Sequence, residues 1–371
     1  MELRDFGRTG MKVSVLGFGA MRLPRNTEEG VALLRRAMAL GVNYLDTARG
    51  YLDGESERMV GLAVKGCRDQ VYISTKRPMG PWHSLTEAVS PDEYRRSIEQ
   101  QLERMGLDYV DVWHLHGLLW EAYCKFGTGQ NGIMRVVHKA KEEGLIRHIA
   151  FSCHDTPQNL MRLIDTGEFE AVTLQYNLLD RSNEEAIAYA HERGLGVVVM
   201  GPVGGGRLAG PSAFQQVLPG GSHSSAEIAL RFVIANPGVS VAISGMSTLS
   251  QVEENVATAS RLGPLTDAER QAVAASLAEM QRLADLYCTG CNYCMPCPNG
   301  VDIPRNFALM NTHRVYGLTE VARTQYAAMP ETGESGLRAS ACLQCGECEP
   351  KCPQRIAIMD QLQETHLALA P

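Results

Sequence analysis

The sequence predicts an α/β protein: a closed (β/α)8 TIM barrel followed by a small, mainly helical domain. Three observations carry this expectation. Eight short apolar runs rich in β-branched residues alternate with amphipathic stretches. Such alternation implies parallel strands joined by crossover helices, and eight units over about 250 residues suit a barrel better than an open sheet. The pattern then stops, and the last quarter of the 371-residue chain holds eight of its eleven cysteines.

The runs, in order, are "VSVLGFG", "VNYLD", "VYIST", "YVDVWHLH", "HIAFS", "AVTLQYN", "LGVVVMG" and "VSVAISG". Between them lie helical patterns such as "EEGVALLRRAMALG", "SPDEYRRSIEQQLERMG" and "MRVVHKAKEEG", which end in glycine as helix C-termini commonly do. The competing architecture is a doubly wound dinucleotide fold. Its glycine fingerprint would begin at Gly17 and Gly19, but Arg22 stands where the third glycine belongs. Beyond the eighth run a polar helix is expected over residues 266–286, and the domain boundary is placed at 280, dividing the chain into 1–280 and 281–371.

A 44 % apolar composition supports a large core, and the net charge of −7 comes with no basic stripe, which makes nucleic acid a poor partner. The charged N-terminus is followed by no long apolar run, and no window approaches the ~20 apolar residues of a membrane span. A soluble cytoplasmic protein is expected. In that setting crowded cysteines mean metal ligation more often than disulfides.

In such a barrel, chemistry sits where strands end. The second run ends in "DTARGY", the third in "STK" and the fourth in "WHLH", which brings Asp46, Tyr51, Lys76 and either His114 or His116 to neighbouring strand ends. The two histidines lie on the same side of their strand, so spacing does not choose between them. A phenol is a poor acid or base near neutrality. A nearby ammonium would favour its phenolate, a carboxylate would hold that ammonium, and an imidazole could orient a carbonyl oxygen.

The stretches "DTARGY", "ISTK", "YVDVWHLHG", "IRHIAFSCH", "LQYN" and "VEENV" resemble, in this order, the aldo/keto reductase family, over residues 3–262. The resemblance implies hydride transfer between a nicotinamide, NAD(H) or NADP(H), and a small carbonyl or alcohol. It implies Tyr51 as the general acid/base, tuned by Lys76 and Asp46, with His116 as the matching histidine. Ser152 and Gln175 match residues that hold the nicotinamide carboxamide, and Glu254 and Asn255 match residues near the adenine. Ala20, Met21, Met200, Gly201 and Gly245 fall along the same cofactor groove. The chain also departs from the family's pattern. Cys153 stands where asparagine is common, Met200 where an aromatic ring often stacks, and Gly245 and Gln251 where NADPH-preferring members carry cations. A 2′-phosphate needs cationic donors, so NADH preference, or weak dinucleotide binding, is expected. The glycine-rich "GPVGGGRL" is a candidate for close approach to a pyrophosphate, and the loop "GLLWEAYCKFGTGQNG", with Trp120 and Tyr123, for the substrate pocket; Trp113, at the strand end just before it, is a further candidate.

The second cysteine knot reads C-x2-C-x2-C-x3-C-P, through Cys342, Cys345, Cys348 and Cys352. This is the two-cluster ferredoxin spacing, in which three thiolates wrap one 4Fe-4S cubane and the fourth ligates the other. The first knot, Cys288, Cys291, Cys294 and Cys297, is one residue shorter in its last gap. The expected sets are therefore crossed: Cys288, Cys291 and Cys294 with Cys352, and Cys342, Cys345 and Cys348 with Cys297. Zinc also takes paired C-x2-C motifs, but evenly spaced triplets with a distant C-P suit it less well. The segment between the knots resembles the helical insert of two-cluster ferredoxin-like domains, an extension found in a subset of aldo/keto reductases.

The combination holds a tension. A nicotinamide delivers two electrons as hydride and a cluster takes one, and a flavin commonly mediates. Three readings follow: an oxidoreductase whose clusters serve an external electron carrier, with or without a flavin; a plain NAD(P)-dependent reductase with bracing clusters; or an electron-transfer or redox-sensing module on a barrel that has given up nicotinamide chemistry.

Overall fold

The structure is a computed structural model that describes residues 1–178, 180–205, 224–260, 268–269, 271–272, 274–275, 288, 290–314 and 319–370. A short antiparallel hairpin, β1 (Leu3–Asp5) and β2 (Lys12–Ser14), comes first. Eight parallel strands follow: β3 (Leu16–Gly19), β4 (Tyr44–Asp46), β5 (Tyr72–Arg77), β6 (Val110–Leu115), β7 (Ile146–Ser152), β8 (Ala171–Gln175), β9 (Gly196–Met200) and β10 (Val241–Ser244). They close into a barrel in chain order, with β10 pairing β3. Each of the eight apolar runs supplies one barrel strand.

The first run departs from its reading as a single strand. Val13 and Ser14 belong to the hairpin, and only Leu16–Gly19 enters the barrel. Val15 is the switch: its N–H bonds Glu2 O at 3.1 Å on the hairpin side, and its carbonyl takes the Ala242 N–H at 2.9 Å on the barrel side. The hairpin turn lowers Phe6 onto the barrel floor, where it packs with Met11, Val13, Tyr44, Val112 and Val198. A fully buried side chain of this kind contributes about 1.5–3 kcal/mol. Gly196 admits it, because a Cβ there would lie 2.7 Å from the Phe6 ring.

Alternation along the strands sends Leu45, Ile73 and Trp113 outward into the larger core beneath the helices, while Tyr44, Asp46, Ser74, Lys76 and His114 turn into the lumen. The helices begin on local signals. Asn26 accepts from Glu29 N ahead of Thr27–Ala39; Ser90 and Thr156 cap helices that start with Pro91 and Pro157.

Contacts divide the chain into two compact units, 1–203 with 229–265, and 204–228 with 266–371. The boundary expected at 280 lies outside the described residues, as does most of the helix expected over 266–286. In the second unit, helices Ile303–Arg314, Thr319–Ala327 and Ile358–Leu369 pack around Phe307, Met310, Tyr326 and Leu362. Arg338 ties the end of the middle helix, donating from Nη2 to Ala327 O and Met329 O at 3.0 Å each. Among the described residues no helix is long and apolar enough to cross a membrane.

Candidate active site and cluster site

Asp46 ends β4 and Lys76 lies near the end of β5, and the strand register sets Asp46 opposite Ser74 and Lys76 opposite His114. The Lys76 ammonium spends its three protons on Asp46 Oδ1 at 2.5 Å, Thr47 O at 2.8 Å and Tyr51 OH at 3.5 Å. Backbone bonds hold the segment that carries Tyr51, from Thr47 N to Ser74 O at 2.8 Å and from Arg49 N to Lys76 O at 3.1 Å. Directly after Tyr51 the chain turns left-handed at Leu52 (φ +50), Asp53 (φ +58) and Gly54 (φ +95). For leucine and aspartate this conformation is strained, and such strain is typical of functional turns. Burial, and then the Asp46 carboxylate, hold the Tyr51 phenol well above its ordinary pKa. The raised value runs against the lowering expected from a neighbouring ammonium: burial and the Asp46 carboxylate outweigh it.

The structure separates the two histidines. His114 lies inside the barrel with both ring nitrogens engaged, Nδ1 with Ser74 Oγ at 3.2 Å and Nε2 with Thr173 Oγ1 at 2.9 Å. Ser74 gives its one proton to Asp46 Oδ2 at 2.8 Å, so His114 donates from Nδ1 and accepts at Nε2. A chain Asp46–Ser74–His114–Thr173 thus crosses the lumen beneath the lysine. His116 stands beyond the strand end, its ring edge-on to Tyr51 with centroids 6.0 Å apart. Burial, and then the Lys76 charge, hold it well below the usual histidine pKa, so it is neutral. Tyr51, Lys76, Asp46 and His116 are brought together; His114 supports them from below.

The residues matched to the cofactor groove occupy one rim. Ser152, Gln175 and Met200 end β7, β8 and β9, and Gln175 pairs with Met200 in register. Ser152 Oγ accepts from Gly117 N at 2.9 Å, and Asn177 Nδ2 donates to Gly201 O at 3.0 Å. Gly245 follows β10, and the Arg22 side chain runs along it, within 3.4–3.5 Å of where a Cβ would stand. Gln251 takes Ser247 N at 2.8 Å rather than presenting a charge. Asn255 donates to Ser244 Oγ at 3.2 Å, and Glu254 accepts from Ser250 Oγ at 2.6 Å. Ala20 has its methyl buried, and Met21 is exposed. The glycine-rich loop beyond Gly205 lies outside the described residues.

Several site residues escaped the sequence reading. Trp82 meets His116 edge-on at 4.7 Å and His83 at 4.6 Å, and His154 lies 6.2 Å from His83. Loops after β5, β6 and β7 thus each send an imidazole to one wall. Burial pushes His83 down to about 4 against the pull of Asp155, and burial with His83 pushes His154 down to about 3. The left-handed backbone at His83 (φ +53) marks it, but no sequence signal does. Trp113 is core, donating to Tyr94 OH at 3.3 Å, and Trp120 stacks on the buried Tyr123. Cys153 is buried in the core.

In the cysteine unit the thiols group across the two knots. Cys288, Cys291, Cys294 and Cys352 line one pocket, walled by Ile303, Phe307 and Ile356. Burial, and then the neighbouring Cys288, Cys291 and Cys352, push the Cys294 thiol up to about 12. Burial, with smaller contributions from Glu349, Cys342 and Cys297, pushes Cys348 up to about 11. These neighbours follow the crossed sets rather than the sequence order. Among the described residues no His, Cys, Asp or Glu side chains form a group that could hold a single metal ion. A cubane is a larger guest whose corner irons each take one thiolate, and its positive iron reverses the cost of ionising buried thiols. The residues present therefore fit such a guest.

The chain matches the aldo/keto reductase family over residues 15–278 and a 4Fe-4S dicluster domain over residues 287–357. It belongs to the aldo/keto reductase family, and it carries a C-terminal 4Fe-4S dicluster domain. It is 30 % identical over 296 residues to the L-galactose dehydrogenase of Arabidopsis thaliana, covering 71 % of this chain and 90 % of that protein. It is 27 % identical over 247 residues to the NADH-specific methylglyoxal reductase of Escherichia coli, covering 61 % and 74 %. The holo form of an aldo-keto reductase from Bacillus halodurans superposes with a TM-score of 0.64 at 28 % identity, covering 75 % of this chain and 96 % of that one.

Proposed function

We propose that this oxidoreductase reduces the carbonyl of a small oxygenated molecule, with NADH as the hydride source. The observation that carries the reading is the Lys76 ammonium, shared between Asp46 and the Tyr51 hydroxyl at adjoining strand ends. A bound nicotinamide supplies the hydride. Tyr51, protonated because burial and Asp46 oppose its ionisation, delivers the proton to the carbonyl oxygen. Asp46 keeps Lys76 charged and in place, and that charge eases the phenolate left behind. Neutral His116 orients the carbonyl oxygen by hydrogen bonding. Ser152 and Gln175 would hold the carboxamide, and Met200 would lie against the ring. Gly245 and Gln251 leave a 2′-phosphate without the usual cations, which supports NADH. Relatives named for L-galactose and methylglyoxal support a small oxygenated substrate.

The two clusters would be held by Cys288, Cys291, Cys294 and Cys352, and by Cys342, Cys345, Cys348 and Cys297. A second reading, electron exchange between the clusters and an external carrier, is favoured by Cys345, whose exposure brings one cluster ligand to the surface. The test is anaerobic addition of NADH to the cluster-loaded protein, with and without small aldehydes. Carbonyl-dependent NADH oxidation is expected. Cluster bleaching by NADH with no carbonyl-dependent turnover would overturn the reductase reading, favour the second, and call for a bound flavin.

A further inference from the structure

At Cys297 the chain enters a tight turn. Gly300 N–H bonds Cys297 O at 3.0 Å and closes the turn Cys297-Pro298-Asn299-Gly300. Proline at its second place sets the backbone in advance. The turn is also clamped from outside: Leu337 N–H bonds Gly300 O at 2.9 Å, and Val301 bridges Leu337. Gly300 (φ +73) comes so close that a Cβ would lie 2.7 Å from Glu334 O. The backbone on either side of Asn299 is therefore held in place. From it, Asn299 Nδ2 donates to Cys345 Sγ at 3.6 Å. Cys345 is exposed, and the other seven cysteines of the two knots are not. The adjoining ligand, Cys342, accepts from the backbone N–H of Gln344 at 3.4 Å.

We infer that Asn299 is a positioning residue for the second cluster, setting its reduction potential through the hydrogen bond to Cys345. A ligating sulfur gains electron density when its cluster is reduced, so a donor aimed at it stabilises the reduced form more than the oxidised form and raises the potential. One turn would then serve the second cluster twice, with Cys297 as a ligand and Asn299 as a donor to another ligand. Exposure leaves the Cys345 corner open to water, and a fixed amide gives that sulfur a constant partner. The inference rests on the crossed ligand sets and is independent of the chemistry of the barrel.

The test is a potentiometric titration, followed by EPR, of the full-length, cluster-loaded protein and of its N299A and N299D variants. Iron and sulfide content are measured on each. One of two reduction midpoints should fall in N299A. It should fall further in N299D, which keeps the size, removes the donor and adds a negative charge. The other midpoint should hold, and iron content should stay full. Unmoved midpoints in fully loaded variants would overturn the inference. So would both midpoints moving together, or iron lost from both variants with the surviving midpoints unchanged, the mark of a purely structural role.

Discussion

At the barrel mouth the buried Lys76 ammonium meets a carboxylate, a carbonyl and a phenol, while in the cysteine unit the buried Cys294 has other thiols for its electrostatic neighbours. The first site is complete within the protein: the charge is paired, and even His114 beneath it has both nitrogens satisfied. The second is built from groups that oppose one another's ionisation until a cation arrives. A paired buried charge persists without a guest, whereas four converging thiols persist in ligating form only with one. One chain thus carries a preformed site and a guest-dependent site, and the contrast can be broken experimentally.

The largest effect expected is from iron removal. Chelation under reducing conditions should unfold the cysteine unit, because a bound metal centre contributes folding free energy on the order of 10 kcal/mol in small metal domains. Limited proteolysis should cleave within residues 288–370, while the thermal transition of the barrel remains. Cys352→Ala should cost roughly half the iron, taken from the first triplet's cluster, as the crossed sets require. A cysteine unit that keeps its fold and protease resistance without iron would erase the contrast.

Next in size are changes at the barrel mouth. Tyr51→Phe should lower carbonyl reduction by about 10²–10⁴-fold with stability and iron unchanged, as removal of a general acid does. Asp46→Asn should cost more than activity, because it strands a buried ammonium, at about 3–5 kcal/mol in thermal or denaturant unfolding. The pH profile follows from the raised phenol pKa. The protonated form persists through neutrality, so reduction should not decline there. Alcohol oxidation needs the phenolate and should rise with pH. A reduction rate that falls near neutrality would assign the proton to another group.

What could be read from the chain depended on distance in sequence. The eight strands announced themselves through local composition, and Asp46, Tyr51 and Lys76 because each lies at the end of a run or just beyond it. The dicluster domain was legible because ligand spacing is itself geometry. Val15 as a switch between sheets was not, since "VSVLGFG" alternates without a break. The Ser74–His114–Thr173 chain was hidden because it joins three strands through the lumen. Trp82, His83 and His154 were hidden because loops carry no periodicity, and their meeting place is set by strands far apart in sequence. Arg22 was read as a broken fingerprint; closure of β10 onto β3 is what lays it along Gly245.

That last placement leads to the smallest effect. Gly245→Lys restores a cation at the position where it is missing, and the existing contact with Arg22, 3.4–3.5 Å from the new Cβ, is ordinary van der Waals spacing that lysine can enter. A charge-assisted hydrogen bond contributes about 1.5–3 kcal/mol, so NADPH binding should tighten by about 10–100-fold while NADH binding holds. Equilibrium fluorescence titration with each dinucleotide reads this directly. If NADPH affinity does not move, Arg22 is the group to examine, because the stem of its side chain already lies beside the same strand end. Arg22→Ala should then weaken NADPH and spare NADH, which would place the phosphate's partner on the first barrel strand's turn rather than the last. Equal weakening of both dinucleotides by Arg22→Ala would instead assign that arginine to the pyrophosphate they share.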